Sequence, residues 1–147
     1  MEESPPVRRE PELFIHADGA SRGNPGEAGA GVVILDGRGR TVRELKRFLG
    51  LATNNFAEYQ ALILALEEAL ELGAGSVRVH LDSELAVRQI GGEYQVRNAG
   101  LKPVHRRVLE LLEKFARAEV VHVPREKNRR ADQLANEAID EKDSTRE

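Results

Sequence analysis

Residues 13–26 read Leu13-Phe14-Ile15-His16-Ala17-Asp18-Gly19-Ala20-Ser21-Arg22-Gly23-Asn24-Pro25-Gly26. An apolar run ends in an acid and breaks at once into glycine, asparagine and proline, the pattern of a buried strand feeding an irregular connection. Strand alternation puts Phe14, His16 and Asp18 on one face and Leu13, Ile15 and Ala17 on the other. A carboxylate aimed along a packed face costs free energy unless something positive meets it. Taken alone, Asp18 fits equally well as a turn residue bonded to nearby backbone N–H groups. The neighbouring elements decide between the two readings.

Outward from this stretch, residues 1–11, with Pro5, Pro6 and Pro11, read as a flexible tail. The first strand covers about 12–18 and a second about 28–36, before a hairpin turn at Asp36-Gly37-Arg38-Gly39. A third, half-exposed edge strand at 41–49 completes an antiparallel meander. The apolar period then changes from 2 to 3.6. Asn55 to Leu72 reads as the longest helix, ended by Gly73, with Leu62, Ala65, Leu66 and Ala69 as its apolar stripe. Glu58 lies four residues before Leu62 and seven before Ala65, so it shares that inward stripe. Asn55-x-x-Glu58 is also a capping-box pattern.

Ser76 to Asp82 is a fourth strand, parallel to the first because a crossover helix precedes it. A short helix at 83–90, a loop at 93–100, a helix from Leu101 to Ala116 and a fifth strand from Ala118 to Pro124 follow. The basic run Arg125–Arg130 leads into a last helix, Ala131 to Glu141. Asp132 precedes Ala135 by three residues and Ile139 by seven, which again points it inward near a helix start. Residues 142–147 read as a second flexible tail, leaving one domain over 12–141.

Composition narrows the class. The chain has no cysteine, which excludes disulfides and thiolate metal sites. No apolar run is long enough to cross a bilayer and no charged-then-apolar leader opens the chain, so the reading expects a soluble, cytoplasmic protein without a membrane partner. The net charge of −3 is unevenly spread: residues 1–12 carry −2, residues 137–147 carry −3, and the body carries +2. A polyanion partner remains compatible with that distribution, because local patches set the attraction.

Each acid has an ordinary alternative. Asp82 fits as an N-cap, and Asp132 as a first-turn acid favoured by the helix dipole. Yet two parallel strands ending in Asp18 and Asp82 place both carboxylates at one carboxyl edge, where open α/β sheets bind ligands. If Glu58 and Asp132 join them, mutual repulsion raises at least one pKa unless cations intervene. An all-carboxylate donor set suits Mg²⁺ or Mn²⁺. Two such ions about 3.5–4 Å apart clamp the attacking and leaving oxygens of an in-line phosphoryl displacement.

Asp18-Gly-Ala-Ser-Arg-Gly-Asn-Pro-Gly26, Thr53-Asn-Asn-Phe-Ala-Glu58, Leu81-Asp-Ser83 and Asn128-Arg-Arg-Ala-Asp-Gln-Leu-Ala135 together resemble the four motifs of type 1 ribonuclease H, in its short form lacking a basic protrusion. The resemblance covers residues 12–139. It implies an α/β ribonuclease H-like fold, a five-stranded mixed sheet of order 3-2-1-4-5 with helices on both faces. It also implies a metal-dependent endonuclease that hydrolyses the RNA strand of RNA/DNA hybrids, leaving 3′-hydroxyl and 5′-phosphate ends. Carried over by position, Asp18 bridges two Mg²⁺ ions, for which Mn²⁺ substitutes. Asp132 joins it on the ion activating water, and Glu58 and Asp82 on the ion at the leaving group. Gly19, Asn24, Asn54, Asn55, Ser83, Arg125 and Asn128 match substrate-binding positions. A monomer without an obligatory protein partner is expected.

Three departures stand out. The loop from Pro124 to Asp132 holds no histidine, leaving Arg125 or Glu126 to stand in; Glu84 occupies a position where glutamine often contacts RNA; and no basic insertion separates Ile90 from Leu101. Arg88, Arg97, Lys102, Arg106 and Arg107 are candidates for its role. Three rivals remain at this stage, one of them a nuclease of the same fold acting on another duplex. His16 and His80 share faces with Asp18 and Asp82, which would suit a His/Asp transition-metal site. The fold would also serve a binding module that does not cleave.

Overall fold

The computed structural model describes residues 11–142 and 145–146. The strands are β1 (Glu12–Ser21), β2 (Gly26–Leu35), β3 (Thr41–Ala52), β4 (Ser76–Leu81), β5 (Arg117–His122) and β6 (Thr145–Arg146). The helices are α1 (Asn54–Glu71), α2 (Glu84–Ile90), α3 (Lys102–Glu113) and α4 (Arg129–Glu141), with a 3₁₀ turn at Arg125–Lys127. The sheet order is β5-β4-β1-β2-β3-β6. Its first five strands reproduce the expected 3-2-1-4-5 arrangement, with β1 antiparallel to β2 and parallel to β4. At the outer edge, Thr145 and Arg146 pair with Lys46 and Leu45. Within the tail expected at 142–147 these two residues therefore pair with an edge strand, whose free backbone groups accept a further strand; residues 143, 144 and 147 lie outside the described residues. The tail expected at 1–11 lies, except for Pro11, outside the described residues.

α1 packs on β1 and β2, and α3 packs on α1, so one face of the sheet carries two helical layers. Leu13, Ile15 and Ala17 point into this core, against Leu62, Ala65, Leu66 and Ala69 of the predicted stripe, all at most 4% exposed. Burying each large aliphatic side chain contributes about 1.5–3 kcal/mol. Gly73 ends α1 with φ +79°, donating its N–H to the Leu70 carbonyl. The start of α1 differs from the capping-box expectation. Thr53 is the N-cap, its Oγ1 accepting from the Phe56 N–H at 3.2 Å. Asn55 and Glu58 therefore lie inside the helix, and neither side chain closes its end.

The opposite face is covered by α4, lying across β2, β1 and β3. Gly29 and Gly31 of β2 make that approach possible. A Cβ on Gly31 would stand 2.1 Å from the Ala131 carbonyl oxygen and 2.6 Å from the Ala135 nitrogen. Helix backbone rests directly on strand backbone there, which fixes the first turn of α4 relative to β1. Lys46 ties the far end of α4, reaching Glu141 at 2.5 Å and Glu137 at 3.4 Å.

Gly31→Ala is expected to cost about 1–3 kcal/mol or more, because the obstruction is backbone and cannot rotate away. Gly37→Ala, with nothing within 4 Å of the added methyl, is expected to be near neutral. Denaturant midpoints of the two variants measured side by side test this.

Candidate active site

Register sets the first two acids. His16 on β1 lies opposite His80 on β4, where the parallel ladder between these strands ends. Asp18 and Asp82 each follow two residues later, so they emerge at the same height from the carboxyl edge. β1 itself runs on to Ser21 because β2 continues to pair with it, Asp18 opposite Gly31 and Ser21 opposite Ala28. The turn expected directly after Asp18 therefore starts three residues later. Ser83, not Asp82, caps α2, its Oγ accepting from the Ala86 N–H at 3.2 Å. The Asp82 carboxylate is left free of the N-cap role. Glu58 enters from α1, and its Oε1 accepts the Gly19 N–H at 2.6 Å. A Cβ on Gly19 would lie 2.2 Å from the Ala57 carbonyl carbon, so only glycine lets α1 come this near β1.

Donor atoms of Asp18, Glu58 and Asp82 all lie within 4.8 Å of one another. Asp18 and Glu58 are each 5% exposed. Asp132, from the first turn of α4, stands at the rim beside Asp18 with a 30% exposed side chain. Burial, then Glu58, Asp82 and Asp132 around it, push the Asp18 carboxyl far above the ordinary carboxylate range. Burial is also the largest influence on Glu58, again upward, opposed by its contacts with Asp18 and the Gly19 N–H. The nearest cation is Arg125, 3.9 Å from Asp132 Oδ1 with a 79% exposed side chain; no ion pair neutralises the other three acids among the described residues. Glu58 Oε2 is buried without a hydrogen-bond partner. Uncompensated negative charge, oxygen-only donors and an unsatisfied carboxylate oxygen fit a hard divalent cation.

The acids floor an open cleft of about 490 Å³, also lined by Gly19, Asn54, Asn55, Ser83, Leu85, Arg125 and Asn136. Asn24 and Asn54 interlock at its rim: Asn24 Oδ1 accepts the Asn54 N–H at 3.1 Å, and Asn54 Oδ1 accepts the Ser21 N–H at 3.0 Å. Asn55 Nδ2 donates to Gln89 Oε1 at 3.3 Å. Two residues expected at the substrate also make contacts within the protein. The Gly19 N–H is occupied by Glu58, so Gly19 serves close packing. Asn128 is 1% exposed, its Nδ2 donating to the Ala17 carbonyl at 2.8 Å and its Oδ1 accepting from His16 Nδ1 at 3.0 Å. It ties the α4 entry to β1 and holds Asp132 in place from below.

The two strand histidines are structural. Their rings stack at 4.4 Å with a 12° interplanar angle, and His80 Nδ1 donates to the Ile15 carbonyl at 2.9 Å. No histidine joins the carboxylate cluster among the described residues. Burial, the largest influence, lowers the His16 pKa, keeping that ring neutral.

Residues 16–138 match the family described as reverse transcriptase-like. The chain is 46% identical over 129 residues to ribonuclease HI of Halobacterium salinarum, covering 86% of this chain and 65% of that protein. The crystal structure of RNase H1 from that archaeon has a TM-score of 0.86 at 44% identity, covering 88% of this chain and 98% of that one. LC11-RNase H1, solved in complex with an RNA/DNA hybrid, has a TM-score of 0.84 at 45% identity, covering 88% and 98%. This chain belongs to the type 1 ribonuclease H family. It spans 65% of the Halobacterium protein and 36% of the mycobacterial bifunctional protein Rv2228c.

Within this ribonuclease H fold, two supporting residues escape a sequence reading. Asn136 Nδ2 donates to the Asp132 carbonyl at 3.0 Å and approaches Asp132 Oδ1 at 3.4 Å; its position four residues after Asp132 is the one local signal that could have marked it. Gln89 is buried, its Oε1 accepting from the Tyr59 hydroxyl at 2.9 Å as well as from Asn55. Nothing local marks it. Glu84, in the doubtful RNA-contact position, is paired with Arg88 at 2.7 Å.

A carboxyl with a raised native pKa keeps its proton where the unfolded chain has lost it. Metal-free stability is therefore highest, as far as this cluster is concerned, below about pH 4 and declines as pH rises toward the elevated values. Asp18→Asn puts a permanently neutral group where the carboxyl must otherwise take up a proton on folding, and is expected to raise the metal-free melting midpoint at neutral pH, at about 2–4 °C per kcal/mol gained. It is also expected to abolish the further rise that Mg²⁺ or Mn²⁺ gives the unsubstituted protein. Thermal melts across pH, with and without cation, check both.

Proposed function

We propose that the protein is an endonuclease that hydrolyses the RNA strand of RNA/DNA hybrids by a two-metal-ion reaction, leaving 3′-hydroxyl and 5′-phosphate ends. The observation that carries this is the convergence of Asp18, Glu58 and Asp82, with Asp132 at the rim, on one cleft without a neutralising cation. A similar protein, LC11-RNase H1, has been solved with an RNA/DNA hybrid, which supports the substrate.

These four carboxylates would hold two Mg²⁺ ions, with Mn²⁺ as a substitute. When bound, such ions activate the attacking water and stabilise the leaving oxygen. The chain's own contribution is placement. Gly19 and Asn128 fix the acids, while Asn54, Asn55 and Ser83 border the cleft where the sugar–phosphate lies. A 2′-hydroxyl is what distinguishes RNA from DNA at such a surface, and the exposed amides of Asn24 and Asn54 can both donate to it and accept from it. Arg125, exposed above Asp132, supplies positive charge to the scissile phosphate where the family often has histidine. The same reading has the protein act in the cytoplasm as a monomer without an obligatory protein partner; no described helix is long and apolar enough to cross a membrane.

Matched RNA/DNA, RNA/RNA and DNA/DNA duplexes incubated with Mg²⁺ or Mn²⁺ form the test. Cleavage confined to the RNA of the hybrid, lost in Asp18→Asn while hybrid binding persists, is the expected result. Binding without cleavage by the unsubstituted protein under both ions would overturn the enzymatic reading.

A further inference from the structure

Asp132 stands apart from the other three acids. Donor atoms of Asp18, Glu58 and Asp82 lie within 4.8 Å of one another without it, and its side chain is partly exposed. Asn136 Nδ2 approaches its Oδ1 at 3.4 Å and the exposed Arg125 guanidinium at 3.9 Å. Asn136 is held in turn from its other side. Arg22 Nη2 donates at 3.3 Å both to the Asn136 carbonyl and to its Oδ1. Arg22 Nη1 pairs with Asp140 Oδ1 at 2.6 Å, one turn further along α4. The connection between β1 and β2 leaves the Arg22 backbone little freedom. Its N–H donates to the Glu27 carbonyl at 2.9 Å, and a Cβ on Gly26 would stand 2.7 Å from its carbonyl carbon.

A guanidinium carries donors only. Set against the Asn136 amide it takes the oxygen, which leaves the NH₂ group facing Asp132. The amide turned the other way would put its NH₂ against a cation and its oxygen against a carboxylate, two repulsive contacts in place of two attractive ones. An ion pair as exposed as Arg22–Asp140 contributes little to stability, so its consequence here is directional. We propose that Arg22 is a positioning residue for Asp132 and acts through Asn136. The line of hydrogen bonds Arg22–Asn136–Asp132 keeps the fourth carboxylate turned toward the other three. This rests on the nuclease reading above, in which Asp132 shares a cation with Asp18.

The test compares R22M, R22K, N136A, R22M/N136A and D140N with the parent protein. Mn²⁺ binding without substrate is read by electron paramagnetic resonance, and hybrid cleavage is followed across Mg²⁺ concentrations. R22M and N136A are each expected to weaken Mn²⁺ binding about tenfold and to raise the Mg²⁺ needed for half-maximal cleavage by a similar factor. The KM for hybrid should stay within about twofold, because neither change removes a substrate contact. R22K keeps a donor at this point and is expected to recover most of the loss. R22M/N136A should be no worse than N136A, since both act along one line. D140N removes the ion pair but leaves the donors to Asn136, and should hold Mn²⁺ affinity within about twofold of the parent. In the metal-free protein, the Asn136 side-chain NH₂ resonances are expected to shift in R22M and in D132N alike.

Parent-like Mn²⁺ affinity in R22M, an equal loss in D140N, or a further loss in R22M/N136A beyond N136A would each overturn the positioning role. So would Asn136 resonances that ignore both R22M and D132N. A parent protein that shows those shifts yet cuts no hybrid would instead overturn the nuclease reading and leave the hydrogen-bonded line standing.

Discussion

Like charges forced together in a place that water reaches poorly are the constraint around which this structure is arranged. Asp18 and Glu58 are almost wholly buried, Asp82 lies within 4.8 Å, and Asp132 stands beside them. Such a cluster opposes folding by both desolvation and repulsion. It persists because the surrounding elements over-determine it, the general condition for strain at a functional site. The same repulsion gives the site its appetite for hard cations, so the destabilising feature and the useful one are a single arrangement.

Over-determination comes from backbone more than from side chains. The β1–β4 register sets Asp18 and Asp82 level with each other. Gly19 lets α1 approach until the Glu58 carboxylate accepts a strand N–H. Gly29 and Gly31 let α4 lie on β2, and Asn128 bonds the entry of α4 to β1. Each acid is therefore tied to the sheet by a contact that does not depend on the other acids. The stacked histidines beneath the site fill space and direct hydrogen bonds.

Charge is handled differently on the surface. Arg130 with Glu44, Lys46 with Glu137 and Glu141, and Arg88 with Glu84 and Glu93 bind elements together or neutralise one another. Such pairs contribute little individually to stability in water. Their sharper consequence is to divide the cations into committed and uncommitted ones, a division that net charge or a count of lysine and arginine does not reveal.

The amino-acid sequence determined the element order, the placement of Asp18 and Asp82 towards one edge of the sheet and of Asp132 in a first helical turn, and the inward direction of Glu58, because helical and strand periods are local properties of the chain. It also carried the family, through four motifs in order. The capping-box reading of Asn55 and Glu58 and the early break after Asp18 did not survive, and Asn128, expected at the substrate, is engaged inside the protein, each for the same reason. A side chain with several possible partners is assigned by whichever partner the fold brings within about 3 Å, and those partners were Gln89, the Gly19 N–H, β2 and His16, all distant in sequence or on another element. Only tertiary structure decided which acids are buried, which arginines are already spent, and that Thr145 and Arg146 pair with the edge of the sheet, since burial and pairing are properties of what lies across the gap and not of the residue itself.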